Sequence, residues 1–524
     1  MAGVGKITYT TSSVDVERFH RLFDEGLAEI RREAGGEHPF YIDDQPIPAR
    51  RNAIVIRSPI DTSLVLGRFG AAAPEHVDLA VASSRRAQVE WGAAPWRERV
   101  AILGRAASLL RDRKFRLAAL MSLEVGKNRM EAMGDVEEAA DLIDYYCQSM
   151  ADADGFVKPM ANLTPGERNV DVLRPFGVFA CISPFNFPLA LSTGMSSAAL
   201  VAGNAVVHKP SEEVLWTGLE LHRAYRDAGV PAGVFNTLTG RAQDIGDLLW
   251  QHPRVDGVVF TGSKAVGLRI HRGLATTFVK PCLMELGGKN ATIVMPSADL
   301  EAAAEGVMRS AFGLQNQKCS ATSRVYVHQE VRDRFLELLV EKTRGIAIGD
   351  PTERDVYFGP VINERALNRY LDIVAEARRV GSVLIGGERL RGGALDRGWY
   401  AAPTVAVAPL ESRLFFEEFF VPFVVVGAVD SLTQALNETN LADYGLTAGL
   451  FSREQAEIDR FFDEVQAGVC YVNKRTGATT GAWPGSQPFC GWKGSGSTGK
   501  GGCGPYYVQQ FMREQSRTVI VPTS

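Results

Sequence analysis

Apolar and polar residues recur with a helical period near the start of the chain and again between residues 74 and 150. The segment from Arg97 to Met121 combines Ala, Leu, Arg and Glu so that apolar side chains share one face of a helix. Residues 14–34 and 74–150 are therefore predicted to be helical. Between these two regions, residues 52–57 and 63–66 are short apolar segments, which are predicted to form strands.

From residue 171 onward, short apolar runs alternate with helical stretches. The runs at 178–182, 205–207 and 255–260 are predicted to be buried strands, and residues 215–228 a helix. Buried strands that alternate with helices are typical of parallel βαβ units. A second alternating block extends from about 284 to 470. The predicted fold class is α/β, with doubly wound parallel sheets.

Length, charge and cysteine content narrow the class of protein. The chain has 524 residues and a net charge of −4, which gives no reason to expect nucleic acid or a membrane surface as a partner. Seven scattered cysteines form neither a disulfide framework nor a CxxC pair, and no HExxH motif occurs, so no metal is expected. The first residues lack a signal-peptide pattern, and a cytoplasmic location is expected.

One glycine-rich segment resembles a phosphate-binding motif. Residues 494–499 satisfy GxGxxG, but no convincing strand precedes them and too little chain follows for a βαβ unit. With Lys500 the segment nearly matches a P-loop, although Gly501 stands where Ser or Thr is required. We therefore interpret this segment as a loop.

Cys319 and Glu285 are the candidate nucleophile and base. Cys319 lies in the run Gln315-Asn316-Gln317-Lys318-Cys319-Ser320, and Glu285 precedes two glycines. A thiolate adds to an aldehyde carbonyl, its adduct can lose hydride to a nicotinamide, and a carboxylate can activate the water that hydrolyses the thioester. Lys318 either favours the thiolate through its charge or points to solvent.

Four further patterns suit the same chemistry. The Asn186 amide follows a predicted strand, where it could donate to an oxyanion. Lys209 and Glu212 follow the next strand and suit ribose hydroxyls. Ser263 lies where a strand leads into a helix, whose free N–H groups can bind a pyrophosphate. Glu418 and Phe420 place a carboxylate near an aromatic ring.

Each of these residues also has a structural interpretation. A single cysteine is most often a small buried apolar residue, and Glu285 could be a carboxylate at a strand end. Asn186, two residues before Pro188, could belong to a turn. Lys209 and Glu212 could be solvated charges that contact each other three residues apart. Glu418 could also be a solvated charge, and Phe420 could belong to the core. The functional interpretation therefore depends on the combination.

That combination resembles the NAD(P)-dependent aldehyde dehydrogenase superfamily from about residue 40 to the end, in motifs, order and spacing. The resemblance implies that Cys319 is the nucleophile, that Glu285 activates water, and that Asn186 and the Cys319 N–H form the oxyanion hole. It implies that the cofactor is NAD, although NADP is an alternative. The residues expected to contact the cofactor are Lys209, Glu212, Ser263, Glu418 and Phe420. Glu212 favours NAD because a carboxylate near the adenosine ribose repels a 2′-phosphate.

Several stretches resemble one group in this superfamily, the Δ1-pyrroline-5-carboxylate (glutamate-γ-semialdehyde) dehydrogenases. These stretches are Gln317–Arg324, the loop Arg475–Gly481, Gln487–Phe489 and Gly504–Val508. The implied activity is NAD-dependent oxidation of L-glutamate γ-semialdehyde to L-glutamate. The α-carboxylate would bind the Gly477 and Ala478 N–H groups and the Ser320 hydroxyl, between Phe187 and Phe489. Residues 476–481 could instead form an ordinary turn.

The sequence also departs from that group. Asn316, Val421 and Cys490 stand where the family commonly has glycine, and residues 482–486 look like an insertion. Oxidation of another aldehyde, aromatic or carboxylated, is therefore a second interpretation. Transfer of the acyl group to CoA is a weaker interpretation, because Glu285 supplies the base for hydrolysis. A non-catalytic protein on this fold is a more distant interpretation.

The resemblance also implies a domain organisation. Residues 1–152 and 171–283 would form the NAD-binding domain, residues 284–485 the catalytic domain, and residues 153–170 and 486–524 a small β flap that pairs subunits into a homodimer or larger homo-oligomer.

Overall fold

The computed structural model of the protein describes residues 15–49, 52–275, 278–475 and 483–521. The helices of these segments are α1 (Val16–Glu33), α2 (Pro74–Ala93), α3 (Trp96–Asp112), α4 (Lys114–Val125), α5 (Arg129–Asp152), α6 (Ala190–Val201), α7 (Leu215–Ala228), α8 (Asp247–Gln251), α9 (Lys264–Leu274), α10 (Leu300–Phe312), α11 (Arg332–Arg344), α12 (Glu364–Val380), α13 (Leu432–Leu441) and α14 (Gln455–Glu464). The predicted helices at 14–34, 74–150 and 215–228 are confirmed.

The strands are β1 (Gly36–His38), β2 (Phe40–Ile42), β3 (Gln45–Ile47), β4 (Ile54–Arg57), β5 (Val65–Phe69), β6 (Val157–Pro159), β7 (Glu167–Pro175), β8 (Val178–Ile182), β9 (Ala205–Lys209), β10 (Phe235–Thr237), β11 (Gly257–Thr261), β12 (Cys282–Glu285), β13 (Asn290–Val294), β14 (Thr322–His328), β15 (Ser382–Ile385), β16 (Thr404–Val407), β17 (Phe423–Val429), β18 (Tyr444–Gly445), β19 (Thr447–Phe451), β20 (Val469–Val472), β21 (Trp492–Lys493) and β22 (Met512–Ile520). The strands predicted at 178–182, 205–207 and 255–260 correspond to β8, β9 and β11.

Two seven-stranded sheets form the centre of the molecule. The first has the order β12-β11-β8-β9-β10-β2-β3, and the second the order β15-β16-β17-β14-β13-β19-β20. The strands from β12 to β10 are parallel, whereas β2 and β3 extend the sheet as an antiparallel hairpin. In the second sheet only the edge strand β15 is antiparallel to its neighbour. The predicted α/β class is confirmed, with antiparallel strands at the sheet edges.

The strand order of the first sheet predicts where a ligand-binding crevice lies. The chain runs from β8 through β9 to β10 in one direction, and then returns to the other side of β8 with β11 and β12. In open parallel sheets, ligands bind at the carboxyl ends of the strands where the order reverses. The loops that follow β8 and β11 therefore border the expected ligand site. Both strands are buried along nearly their whole length, which fixes the position of these loops.

A three-stranded antiparallel sheet with the order β22-β7-β6 joins the predicted flap region to the end of the chain. The predicted division at residue 284 stays a prediction, although β12 and β13 belong to different sheets. Within the described segments, no helix combines the length and the apolar character needed to cross a bilayer.

Candidate active site

Cys319 lies where a cleft and a tunnel meet. The cleft has a volume of about 450 Å³ and borders the carboxyl ends of β8, β9 and β11. The tunnel has a volume of about 90 Å³ and is lined mainly by apolar side chains. Cys319 and Thr261 line both spaces, while Glu285 lines the tunnel. A molecule in the cleft and a second one in the tunnel would therefore both reach the thiol.

Hydrogen bonds from Asn290 hold the backbone of the Cys319 turn. The Asn290 Nδ2 atom, at the start of β13, donates to the carbonyl oxygens of Cys319 at 2.7 Å and of Ala321 at 2.9 Å. The Asn290 Oδ1 atom accepts from the Thr447 N–H at 3.0 Å. One buried amide thus fixes the turn relative to β13 and β19.

The two glycines after Glu285 allow the close approach of three segments. A side chain at Gly287 would collide with the Glu418 carboxylate, and a side chain at Gly288 with the Cys319 carbonyl oxygen. The Gly288 N–H donates to Glu418 Oε1 at 2.8 Å. The motif Glu285-Leu286-Gly287-Gly288 is therefore needed for backbone packing between the base, the nucleophile and Glu418.

The surroundings of the candidate nucleophile and base favour their protonated forms. Burial, together with the Glu418 and Glu285 carboxylates, raises the pKa of the Cys319 thiol to about 12. Burial also raises the pKa of Glu285 well above its ordinary value, against the effect of a hydrogen bond from the Gly491 N–H. Its Oε2 atom has no partner among the described residues. A raised pKa makes the ionised carboxylate a stronger base than that of an ordinary glutamate, which suits a general base.

The structure places the predicted cofactor residues Lys209, Glu212, Ser263, Glu418 and Phe420 along the cleft. Burial lowers the pKa of Lys209 to about 8, against the raising effect of Glu212. Ser263 is the N-cap of α9, so backbone N–H groups in the first turn of this helix face the cleft. The rings of Phe185 and Phe420 meet edge to face with centroids 5.9 Å apart.

These cleft residues fit a dinucleotide. Within the described part of the chain, the buried Lys209 ammonium donates to the Pro210 carbonyl oxygen at 3.2 Å, so it retains donors for hydroxyl groups. The start of α9 can receive a pyrophosphate. Burial raises the pKa of Glu418 to about 7, and this carboxyl group beside Cys319 can accept from a ribose hydroxyl when it is ionised. Arg365 and Arg369 of α12 also line the cleft and were missed by the sequence reasoning.

Of the predicted substrate residues, Phe187, Ser320 and Phe489 line the tunnel together with Cys319 and Glu285. Asn186 lies one residue earlier than Phe187 and lines the cleft on the side of Cys319. Gly477 and Ala478 lie outside the described residues. The described part of the predicted insertion, residues 483–486, is not among the described residues that line the tunnel.

One helix supplies a tunnel wall that the sequence reasoning missed. Glu138, Leu142 and Tyr146 of α5 are spaced four residues apart and line the tunnel on one face of the helix. Met195, Cys503 and Tyr507 line it as well. The four-residue spacing was visible in the sequence, but an amphipathic helix gives no indication that its buried face borders a cavity rather than a core.

One of the departures from the family, Asn316, has a structural explanation. Asn316 has a φ of 60°, and asparagine is, after glycine, among the residues that tolerate this left-handed conformation best.

Lys318 does not point to solvent, since its side chain is 4% exposed and its Nζ atom lies 2.7 Å from Glu131 Oε1.

The fold and the arrangement of thiol, carboxyl group and cleft are typical of a dehydrogenase that oxidises aldehydes through a cysteine. Comparison with known proteins agrees. The sequence profile of the aldehyde dehydrogenase family matches residues 47–517. The chain belongs to the aldehyde dehydrogenase family.

Within the family the chain is similar to 1-pyrroline-5-carboxylate dehydrogenases. One from Geobacillus sp. (strain WCH70) is 34% identical over 510 residues, which cover 96% of each chain. A solved 1-pyrroline-5-carboxylate dehydrogenase from Thermus with bound NAD is 33% identical, with a TM-score of 0.92 and 99% of each chain covered. A solved 3,6-anhydro-L-galactose dehydrogenase is 32% identical, with a TM-score of 0.86, and covers 92% of this chain and 99% of its own.

Proposed function

We propose that this enzyme oxidises L-glutamate γ-semialdehyde, the hydrolysed form of Δ1-pyrroline-5-carboxylate, to L-glutamate with NAD as the electron acceptor. The observation that carries the proposal is the position of Cys319 at the junction of a dinucleotide-sized cleft and a narrow tunnel, with Glu285 on the tunnel side. The names of the similar proteins support the substrate, and the NAD in the Thermus structure supports the cofactor.

In the first chemical step the Cys319 thiol loses its proton to solvent, and the sulfur of the resulting thiolate forms a bond to the aldehyde carbon. The Asn186 amide and the Cys319 N–H donate to the oxygen of the resulting thiohemiacetal, which carries negative charge as it forms. When bound, the nicotinamide supplies the two-electron oxidation by accepting a hydride from this carbon. The product on Cys319 is a thioester, and the apolar tunnel limits its access to bulk water.

Glu285 acts in the second step. Its carboxylate removes a proton from a water molecule, and the oxygen of this water attacks the thioester carbon. The bond between carbon and sulfur breaks, the sulfur leaves as the Cys319 thiolate, and the acid product leaves with a new carboxylate. Glu285 then releases the proton that it took from the water. Because the pKa of Glu285 is raised, its carboxylate is a stronger base than that of an ordinary glutamate. The presence of this base beside the thiol supports hydrolysis rather than transfer of the acyl group to CoA.

The tunnel residues support a short substrate with an aliphatic middle. Phe187 and Phe489 line the tunnel and provide apolar contacts for the methylene groups, while the Ser320 hydroxyl can donate to a carboxylate. The predicted N–H donors of Gly477 and Ala478 lie outside the described residues and remain part of the proposal. Oxidation of another aldehyde by the same residues is the second candidate, supported by similarity to the sugar aldehyde dehydrogenase.

The function is tested by measuring NADH formation from L-glutamate γ-semialdehyde. Cys319→Ser should lower kcat by at least about 10³-fold, because a neutral hydroxyl is a much weaker nucleophile than a thiolate. Cys470→Ser is the matched control, since Cys470 is half-buried and outside the cleft and tunnel linings. Normal turnover in Cys319→Ser would exclude this cysteine as the nucleophile.

We also propose that subunits pair through the three-stranded sheet of β6, β7 and β22. All residues of β6 are exposed, and so are the residues of β22 after Met512, including Val519 and Ile520. Exposed apolar side chains on an antiparallel sheet are suited to contact with a second copy. Sedimentation velocity should give a homodimer or a larger assembly. A monomer at micromolar concentration would contradict this part of the proposal.

A cytoplasmic location is proposed as well. The seven cysteines are all free thiols in the structure, and the proposed mechanism requires one of them to stay reduced. Mass spectrometry of protein isolated with a thiol-blocking reagent should find Cys319 reduced, and a disulfide at this position would contradict the expectation.

A further inference from the structure

The turn that leads to Cys319 has an unusual backbone. Leu314, Gln315 and Asn316 have φ angles of 46°, 54° and 60°, and none of them is glycine. Side chains in this left-handed region cost roughly 1–2 kcal/mol each. Three such residues in succession persist only where surrounding contacts hold them. The contacts on both sides of this turn therefore decide how Cys319 is presented.

Glu131 of α5 binds the turn at both ends. Its Oε1 atom lies 2.7 Å from Lys318 Nζ, directly before the nucleophile. Its Oε2 atom accepts from the Leu314 N–H at 3.2 Å, at the first left-handed residue. A single carboxylate thus spans the strained segment from Leu314 to Lys318.

The ion pair is packed tightly against the backbone. A side chain at Gly313 would lie 2.9 Å from Lys318 Nζ and 3.0 Å from Glu131 Oε1, so the glycine at this position leaves the space that the ion pair needs beside the turn. The Glu131 side chain is 13% exposed and that of Lys318 is 4% exposed. A buried charge that loses its partner is costly, and such a change would be transmitted to the turn.

We infer that Glu131 is a positioning residue, which holds the turn that presents Cys319 by binding the Leu314 N–H and the Lys318 ammonium. The inference rests on the proposed role of Cys319 as nucleophile but not on the identity of the aldehyde. Glu131 does not contact the reacting atoms. It acts through the turn, and its removal should affect the rate of the chemical steps more than the binding of either substrate.

The variant Glu131→Gln tests this role against a matched control. Glu137 lies on the same helix, and its side chain is 4% exposed. Its Oε1 atom lies 2.7 Å from Lys114 Nζ, and neither residue lines the cleft or the tunnel. We expect Glu131→Gln to lower kcat about tenfold with KM values within about twofold, because small displacements of reacting groups slow the chemistry. Glu137→Gln should lose similar thermal stability but keep its kcat within about twofold. Equal kcat values in the two variants would overturn the inference.

Two further measurements keep the test decisive. Lys318→Gln breaks the same ion pair but leaves the Leu314 hydrogen bond, so kcat should fall less, about threefold. Alkylation by iodoacetamide needs no substrate. In Glu131→Gln the turn loses the contact that holds the Leu314 N–H, so the Cys319 thiol should become more accessible and react at least about threefold faster, while the buried Cys181 should react unchanged.

The outcomes separate the inference from the proposed function. If the wild-type enzyme oxidises no aldehyde, the proposed function fails, and the alkylation rates alone decide the role of Glu131. An unchanged Cys319 alkylation rate in Glu131→Gln, or an unchanged kcat in Lys318→Gln, would contradict it.

Discussion

At the scale of single residues, the site combines two groups that both resist ionisation. Burial and two neighbouring carboxyl groups raise the pKa of Cys319 to about 12, and burial raises the pKa of Glu285. A neutral Glu285 repels the thiolate less than an ionised one, since like charges at close range raise each other's pKa. The protonation state of Glu285 therefore affects both the attack on the aldehyde and the later hydrolysis.

Glu285→Gln should separate the two steps. Thioester formation remains possible, so the enzyme should release one equivalent of NADH per active site in a burst, while steady-state kcat falls about 10²–10⁴-fold because the base is missing. Stopped-flow absorbance measures both phases. Wild-type kcat should rise with pH, since a raised pKa keeps the Glu285 carboxyl group protonated at lower pH. The part of this rise that comes from Glu285 should disappear in the variant, whereas the NADH burst should still become faster with pH because Cys319 must ionise.

The control for this experiment is Glu417→Gln, which removes an exposed carboxylate that pairs with Arg413. Its kcat should stay within about twofold of the wild type, as is usual for exposed ion pairs. A steady-state rate in Glu285→Gln equal to that of the wild type would exclude Glu285 as the base.

Where a motif was present, the sequence predicted which single residues lie together, while their chemical roles stay predictions. Cys319, Glu285 and Asn186 were found because their types and order match a known chemistry, and the structure brings them to one junction. Glu131 was not found. Helix α5 contains several acidic residues, and only the packed structure shows that Glu131 faces the Cys319 turn while Glu137 faces Lys114.

At the scale of elements, the turn before β14 connects backbone strain to the position of the nucleophile. Asn316 stabilises it with two hydrogen bonds, from Nδ2 to the carbonyl oxygens of Ala311 at 2.7 Å and Thr322 at 3.0 Å. These bonds explain why asparagine replaces the expected glycine. The side chain tolerates the left-handed backbone and also satisfies two buried carbonyl groups.

Asn316→Ala should therefore lower the free energy of unfolding by about 2–3 kcal/mol, because it removes both hydrogen bonds and keeps a side chain in the left-handed region. Asn316→Gly removes the same bonds but relieves the backbone, so its loss should be smaller by about 1 kcal/mol. Urea denaturation of the two variants measures the difference. A glycine variant less stable than the alanine variant would contradict the role assigned to the backbone.

The predicted insertion forms a contact with α5. The Trp483 Nε1 atom donates to Asp141 Oδ2 at 2.6 Å, and Asp141 also pairs with Arg111 at 2.9 Å. Because α5 carries one tunnel wall and Phe489 follows six residues after Trp483, this contact ties two sides of the tunnel together. The sequence indicated an insertion but could not show where it packs.

Trp483→Phe should raise the KM for the aldehyde about fivefold and leave kcat within about twofold. The lost hydrogen bond to a carboxylate, worth about 1 kcal/mol here, should make the tunnel wall more mobile without changing the position of the Cys319 thiol. Steady-state kinetics at saturating NAD measures the change. Trp492→Phe is the control, since Trp492 is 47% exposed on β21. A KM equal to that of the control variant would contradict the contribution of the Trp483 contact.

At the scale of the whole molecule, the two large sheets and their loops create the cleft, and a buried polar contact connects two strands that border it. His208 of β9 contacts Ser183 after β8, with 2.9 Å between Nε2 and Oγ, and its ring stacks near Phe235. Burial lowers the pKa of His208 to about 3, and that of the buried His38 to about 4. Both histidines are therefore neutral in the native protein near pH 6.

These histidines predict that stability falls in mild acid. Between the ordinary histidine pKa of 6.5 and the lowered native values, the unfolded chain binds protons that the native protein does not. The free energy of unfolding should therefore decrease as the pH falls from about 6.5 toward 4, by roughly 1 kcal/mol per pH unit for each histidine. Urea denaturation across this range measures the slope. His208→Gln should reduce it, and an unchanged slope would contradict the account.

The general architecture was predictable because alternating buried strands and helices allow few arrangements. The strand order of each sheet and the antiparallel edges were not, since they depend on long-range pairing between segments such as β2 and β10, which no local pattern encodes. The contact between the insertion and α5 belongs to the same class of long-range features.

We propose that the tunnel beside Cys319 selects glutamate γ-semialdehyde. The most direct test compares kcat/KM for L-glutamate γ-semialdehyde and for pentanal, which has the same chain length but lacks the α-amino and α-carboxylate groups. The account predicts a ratio of at least about 10², since a bound carboxylate contributes several charge-assisted hydrogen bonds. A ratio of one or less would contradict it.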